Sequence, residues 1–499
     1  MLWLALELPS LPLQIVERAG VAREALVIAE GPGQRPLVAC ANAAAQAAGV
    51  REGQPVAAAK ALAGSLRVVP RDGRAETETL ERLAAWAGQF TPMAAVESQG
   101  IVLEVASSVR LFGGHARLAA AVRQGVRELG FRASLGVAPT PLAARLFARA
   151  ATQGLRARGC LAAKDLEARL ADLPLFLLDW PQKTLERLAD LGILRVRDAL
   201  ALPAEGLARR FGPRIADSLA RLVGRVADPR LPYVAPPRFR SRVELACEAE
   251  GVEALAFALK RMLVELEGAL RGRGAGAQRI VLTLEHGRDA RTPVVLEFAS
   301  PEREADFILA IAREKLSRTA LPGPTLALEL AADALLERPS RAASWLPAER
   351  EQSIDRERLL ERLAARLGRE RVYGIALADD HRPERDWKKS ESRGHAPFKA
   401  RNPQVAEKSL HQKWGLSAVS TRPVWLLKRP QRLIVQQGMP TLQGPLAIAA
   451  GPERIESGWW DGDEVRRDYY VASNARGEAF WIFREHRDPS AWYVHGVFA

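Results

Sequence analysis

Few residues in this 499-residue chain stand in a pattern that does chemistry. The seven His residues show no metal spacing, Cys40, Cys160 and Cys247 are far apart, and no Ser/His/Asp constellation is present. What remains are carboxylates on short apolar runs. Glu7 lies in the run Leu2 to Leu8, and Glu97 and Glu104 flank Ser98-Gln99-Gly100-Ile101-Val102-Leu103. Alternation of Ile101, Leu103 and Val105 with Val102 and Glu104 predicts a half-buried strand entered through a turn at Gly100. The chemistry open to clustered carboxylates on such strands is phosphoryl transfer with two divalent cations, which must sit about 3.5–4 Å apart.

The elements that must position these residues follow from patterning. Runs at 24–30 and 36–41 separated by Gly31-Pro32-Gly33 predict a hairpin, and Pro12 allows a helix start. After Asn42 come two short Ala-rich helices, a strand at 66–69, helices at 75–89 and 115–129, a strand at 132–137 and a helix at 140–151. Helices on a sheet make this region α+β. Residues 152–170 read as a helical connector and 171–232 as further helices. A Pro-marked linker at Pro232, Pro236 and Pro237 precedes strand 239–246, helix 252–270, strands 278–285 and 293–299, helix 303–318 and strand 324–331, the β-α-β-β-α-β order of a ferredoxin-like unit. Beyond about residue 338 Pro, Arg and Trp dominate, with seven of the eleven Trp from Trp387 onward. An amphipathic helix is predicted at 354–367, and 380–420 reads as loop or disordered. Strand signals at Trp459-Trp460-Asp461-Gly462, 466–471, 480–484 and 492–498 predict a small β-module.

The balance of 72 Lys+Arg against 59 Asp+Glu gives +13 and a pI near 10.1, which favours a polyanionic partner. Nucleic acid is preferred to membrane, because no apolar run approaches the roughly 20 residues of a span. Few, scattered cysteines and the absence of a basic n-region before Leu2-Trp3-Leu4 lead us to expect a reduced, cytoplasmic protein. Nine Arg (Arg209, Arg210, Arg214, Arg221, Arg225, Arg230, Arg238, Arg240, Arg242) stand against two acids within 209–242, and Arg271, Arg273 and Arg279 surround a Gly-rich loop. Both groups are candidates for contact with phosphates.

Aligned on Leu103-Glu104-Val105, the stretch from Ser98 resembles the palm strand of Y-family translesion DNA polymerases, whose segment reads Ser-Ile-Asp-Glu-x-x-Leu-Asp-Val. The likeness continues through Arg35-Pro36-Leu37-Val38-Ala39-Cys40-Ala41-Asn42, Gly49-Val50-Arg51-Glu52-Gly53 and Ser134-Leu135-Gly136-Val137-Ala138-Pro139. It implies a palm and fingers over 1–170, a helix–hairpin–helix thumb over 171–232 and a little finger over 233–337. A linker with an amphipathic helix at 338–420, partly disordered, and a partner-binding β-module at 421–499 would follow. The family's four metal-binding carboxylates fall on Glu7, Pro9, Gln99 and Gly100, and its nucleotide contacts on Pro12, Ala43, Gln46, Thr140 and Pro141. The resemblance therefore implies a polymerase scaffold without its metal or triphosphate site. Glu97 and Glu104 are poor substitutes, since a one-residue shift along a strand reverses the face. The thumb's Gly-x-Gly falls on Asp179 and Pro181.

Segments in the tail (381–384, 422–427 and 451–460) resemble those of the catalytically inactive polymerase-like subunits of bacterial SOS mutasomes. That resemblance implies no enzymatic activity, no cofactor, and a role in translesion synthesis. It implies backbone contact with primer–template DNA, and binding of the sliding clamp, a RecA-like accessory protein and a C-family error-prone polymerase. Trp345 and Leu346 are the clamp candidates; Trp459, Trp460, Tyr469, Tyr470 and Trp481 are the partner-binding candidates. The competing expectations are an active low-fidelity polymerase using displaced carboxylates and a pure protein adaptor.

Overall fold

The run Leu2–Leu8 forms β1 (Trp3–Glu7), every residue of which is buried. The computed structural model describes residues 1–18, 24–31, 33, 35–156, 159–287, 290–338, 348–390, 422–423 and 425–498. It divides into two compact units, Met1–Arg366 and Leu367–Ala499.

After β1, Pro12 near its N-terminus starts α1 (Leu11–Glu17). β2 (Leu26–Glu30) and β3 (Leu37–Ala41) form the expected antiparallel hairpin. Asn42 caps α2 (Ala43–Ala47), α3 (Val56–Leu62) follows, and β4 (Arg67–Pro70) pairs parallel with β2. Next come α4 (Gly73–Ala87), the hairpin β5 (Ala94–Glu97) and β6 (Gly100–Glu104), then α5 (His115–Glu128), β7 (Ser134–Ala138) and α6 (Pro141–Thr152). The main sheet runs β5-β6-β1-β7. Its register sets Glu7 opposite Gly100 and Ser134, and Trp3 opposite Glu104 and Ala138. A Cβ at Gly100 would fall on the Leu6 carbonyl, so only glycine lets β6 approach β1 so closely there.

Short helices α7 (Leu166–Leu170), α8 (Gln182–Asp190), α9 (Val196–Leu200), α10 (Ala204–Phe211) and α11 (Pro213–Leu222) follow. Their apolar faces share a core with α6, through Leu170, Leu188, Val196, Leu207, Leu219 and Leu222.

The second sheet is built from β8 (Phe239–Ala249), α12 (Val252–Gly272), β9 (Ala275–His286), β10 (Arg291–Glu302), α13 (Ala305–Leu316) and β11 (Thr325–Ala332), in the predicted β-α-β-β-α-β order. β11 lies between β8 and β9, and β10 closes one edge. The antiparallel pairings make β8 and β9 parallel to each other around β11. A short β12 (Leu335–Glu337), absent from the sequence reading, adds to β9. α12 is buried along two sides because it also packs on α4. Gly268 faces the Trp86 indole and Gly272 the backbone of Gly88, where no side chain fits. In the same interface Glu265 is buried between Arg18 (2.5 Å) and Arg82 (2.7 Å).

The predicted linker helix is instead part of this unit. α14 (Ala348–Leu367) packs on the second sheet, with Ala365 in its core and Arg358 paired to Glu302 and Glu304. Glu302 is mostly buried, and Arg358 adds a second cation to Arg338 (2.7 Å) beside it, so the pair contributes to the docking.

The second unit begins with the hairpin β13 (Gly374–Leu377) and β14 (Trp387–Ser390), so within the stretch 380–420 expected as loop or disordered, 380–386 form a loop and Trp387–Ser390 a strand. It continues with β15 (Trp425–Arg432), β16 (Ile434–Gln436), β17 (Met439–Thr441), β18 (Ala447–Ser457), β19 (Val465–Ser473), β20 (Ala479–Glu485) and β21 (Asp488–Val497). Five of these form an antiparallel sheet in the order β15-β21-β20-β19-β18. Among the described residues no helix is long and apolar enough to cross a membrane.

Candidate functional site

Glu7 ends β1 and Glu97 ends β5, so the sheet register brings both to one edge. Between them stands Arg145, which neither strand pattern nor motif foretold. It projects from α6, only 7% exposed, and donates to Glu7 (3.1 Å), Glu97 (2.8 Å), Ser98 and Asp179 (3.0 Å). Arg149, one turn further on, donates to Glu7 (3.2 Å), Asp179 (2.5 Å) and the Leu177 carbonyl. Arg230 closes the other side on Glu97 (2.6 Å) and Asp228. Burial alone would pull the Arg145 guanidinium down, but Glu7, Glu97 and Asp179 outweigh it and hold it above its ordinary value. Desolvation likewise works against the Asp179 carboxylate, and the Arg149 and Arg145 guanidinium groups keep it below the usual range.

The remaining sequence positions sort clearly. Glu104 sits at the far end of β6 from Gly100, opposite Trp3, where it accepts from the Leu2 and Ala106 amides. Gln99 occupies the β5–β6 turn, and the Pro9 carbonyl accepts from the Gln14 amide. Pro12 lies in the first turn of α1 and Ala43 opens α2. Gln46 donates to the Ala41 carbonyl. Thr140 caps α6 and donates to the Leu222 carbonyl at the end of α11, while Pro141 starts α6. Among the described residues, no group of three or more His, Cys, Asp or Glu is arranged to hold a metal ion.

The arginine candidates fall into two sets. Arg209 and Arg210 end α10, Arg214 begins α11 across Gly212 (φ 95°), and Arg221 lies one face further along. These four, with Arg238 and Arg279, are exposed and have no ion pair among the described residues. The others are engaged. Arg225 pairs with Glu167, Arg240 with Asp333, Arg242 with Glu244 and Glu285, and Arg271 with Glu267, while Arg273 donates to the Pro236 carbonyl. Glu244 and Glu267 lie on the same elements as their arginines, whereas Glu167, Glu285 and Asp333 are distant in sequence and are brought alongside by the fold.

In the second unit the aromatic candidates also divide. Trp459 (76% exposed) and Trp460 (54%) form an edge-to-face pair in the turn between β18 and β19, not in a strand. Tyr469 and Trp481 are buried and stacked, and Tyr470 packs against Trp492, so these three build the sheet's core and present no binding surface. The turn is braced by Arg382, which is buried and donates to Asp380, Asp461 and the Asp463 carbonyl; Asp461 is lowered to about 2 by it. Trp345 and Leu346 lie outside the described residues.

Residues 13–149, which include β5, β6 and β7 of the main sheet with Glu97, Arg145 and Arg149 but not β1 and its Glu7, match the impB/mucB/samB family. With this match the chain is Y-family-polymerase-like over that region. Over its length it is similar to Protein ImuB of Caulobacter vibrioides (strain NA1000 / CB15N), 28% identical across 90% of this chain and 100% of that protein. DNA polymerase IV of Desulfatibacillum aliphaticivorans is 30% identical over 37% of this chain and 47% of its own. Among solved structures, DinB from Sulfolobus solfataricus aligns over 67% of this chain and 98% of its own, at 18% identity and a TM-score of 0.38. The chain is thus an ImuB-like, polymerase-like protein.

Proposed function

We propose that this chain is a non-catalytic scaffold for damage-induced translesion synthesis, which binds primer–template DNA through backbone contacts and gathers other proteins on it. The observation that carries the reading is the occupancy of the carboxylate edge by Arg145 and Arg149. Two hard cations require several free carboxylate oxygens. Of the four positions only Glu7 is acidic, and its Oε1 accepts from both arginines. The residues do not fit a metal pair, and a fixed guanidinium serves as the internal counter-ion instead. DNA would lie against Arg209, Arg210, Arg214, Arg221, Arg238 and Arg279. Trp459 and Trp460 are the anchors proposed for a mutasome partner, and the clamp, a RecA-like protein and a C-family polymerase are the partners the ImuB similarity suggests.

One observation favours the alternative of an active polymerase, because Glu7 and Glu97 do meet, at Arg145. A primer-extension assay with Mg²⁺ or Mn²⁺ decides between them. The scaffold reading expects no extension by the chain alone. Template-dependent extension that disappears in Glu7→Ala or Glu97→Ala would overturn it.

A further inference from the structure

On the outer side of α5 a cavity of about 190 Å³ is lined by Arg123, Val126, Arg127, Arg132 and Ala133. Arg123 and Arg127 stand at i and i+4, where like charges oppose each other on a helix. Neither has an ion pair among the described residues, and the acid beside them, Glu128, bonds to Gln124 instead. Arg132 comes from the approach to β7, and its backbone is pinned by the buried Gln14, which accepts from its amide (2.6 Å) and donates to its carbonyl (3.0 Å). Its guanidinium pairs at 3.0 Å with Glu17, at the end of α1. Three guanidinium groups around a concavity concentrate positive potential, and their forked donors match phosphate oxygens.

We infer that this cavity is a phosphate-oxyanion site, separate from the carboxylate edge and from the α10–α11 arginines. The oxyanion comes from a nucleic-acid backbone or from a free phosphate compound. The inference does not depend on whether the chain polymerises DNA.

The test uses the full chain, the double variant Arg123→Gln/Arg127→Gln and the single variant Glu17→Gln, with folding checked by circular dichroism. Pyrophosphate is titrated by calorimetry and labelled single-stranded oligo-dT by fluorescence anisotropy at low salt. We expect the double variant to weaken at least one probe roughly tenfold or more, the scale of charge-assisted hydrogen bonds. Glu17→Gln frees Arg132 and tightens the same probe. A change confined to pyrophosphate identifies a free phosphate compound, and one in oligo-dT identifies the nucleic-acid backbone. Equal affinity of both probes for all three proteins, or no binding of either to the wild type, would overturn the site.

Discussion

At the residue scale the central fact is Arg145. The strand glycine and the missing acids were legible because Gly100, Gln99 and Pro9 differ in type from what a metal site needs. Arg145 and Arg149 were not, since an i,i+4 pair on an Ala-rich helix has the pattern of a solvated face, and only the fold turns it inward. Truncating one partner of a buried ion cluster leaves the other charges desolvated. Arg145→Ala is therefore expected to cost about 3 to 5 kcal/mol in urea unfolding. Arg145→Ala combined with Glu97→Gln should recover part of that loss, because it removes a mostly buried carboxylate that has lost one of its two cations and keeps only Arg230. Additive losses in the double variant would show that the two side chains are not coupled. Gly100→Glu, the substitution that would restore an acid to the strand, is expected to destabilise the sheet, because its Cβ meets the Leu6 carbonyl.

At the element scale the secondary structure was largely readable from period and punctuation, from the β2–β3 hairpin to the six elements of the second sheet. Helix–helix docking was not, because the residues that allow it are far apart in sequence. Gly268 and Gly272 on α12 make room for Trp86 and Gly88 on α4, and Glu265 joins Arg18 and Arg82 across the same seam. Burial pushes the Glu265 carboxyl up, but the two guanidinium groups prevail and hold it below its ordinary range. Its contribution is therefore present above the unfolded carboxyl pKa of about 4.3 and is lost as pH falls through the lower folded value. Glu265→Ala should cost about 3 to 5 kcal/mol and remove the part of the acid sensitivity that Glu265 supplies. Chemical denaturation of wild type and variant between neutral pH and pH 3 measures both effects. A variant as acid-sensitive as the wild type would place the titrating group elsewhere.

At the scale of the whole molecule, net charge pointed to nucleic acid but overstated how many arginines are free to meet it. Counting basic residues along a sequence cannot register acids that folding brings alongside, as Glu285 on β9 reaches Arg242 on β8 across β11 and Glu167 on α7 reaches Arg225 just beyond α11. Six candidates remain exposed without an ion pair among the described residues, Arg209, Arg210, Arg214, Arg221, Arg238 and Arg279. Each phosphate contact releases counter-ions and contributes about −0.9 to the slope of log K against log salt, so all six together give a slope near −5. Replacing Arg209, Arg210, Arg214 and Arg221 by Ala should bring the slope to about −2 with little effect on stability, since these side chains have no ion pair among the described residues to lose. Arg242→Ala should instead leave the slope nearly unchanged, because its guanidinium already serves Glu244 and Glu285. Anisotropy of a labelled primer–template across a salt series distinguishes the two groups. A slope that fell equally in both would mean that the protein breaks its own ion pairs to bind DNA, and that exposure without a partner is not what selects the contacts.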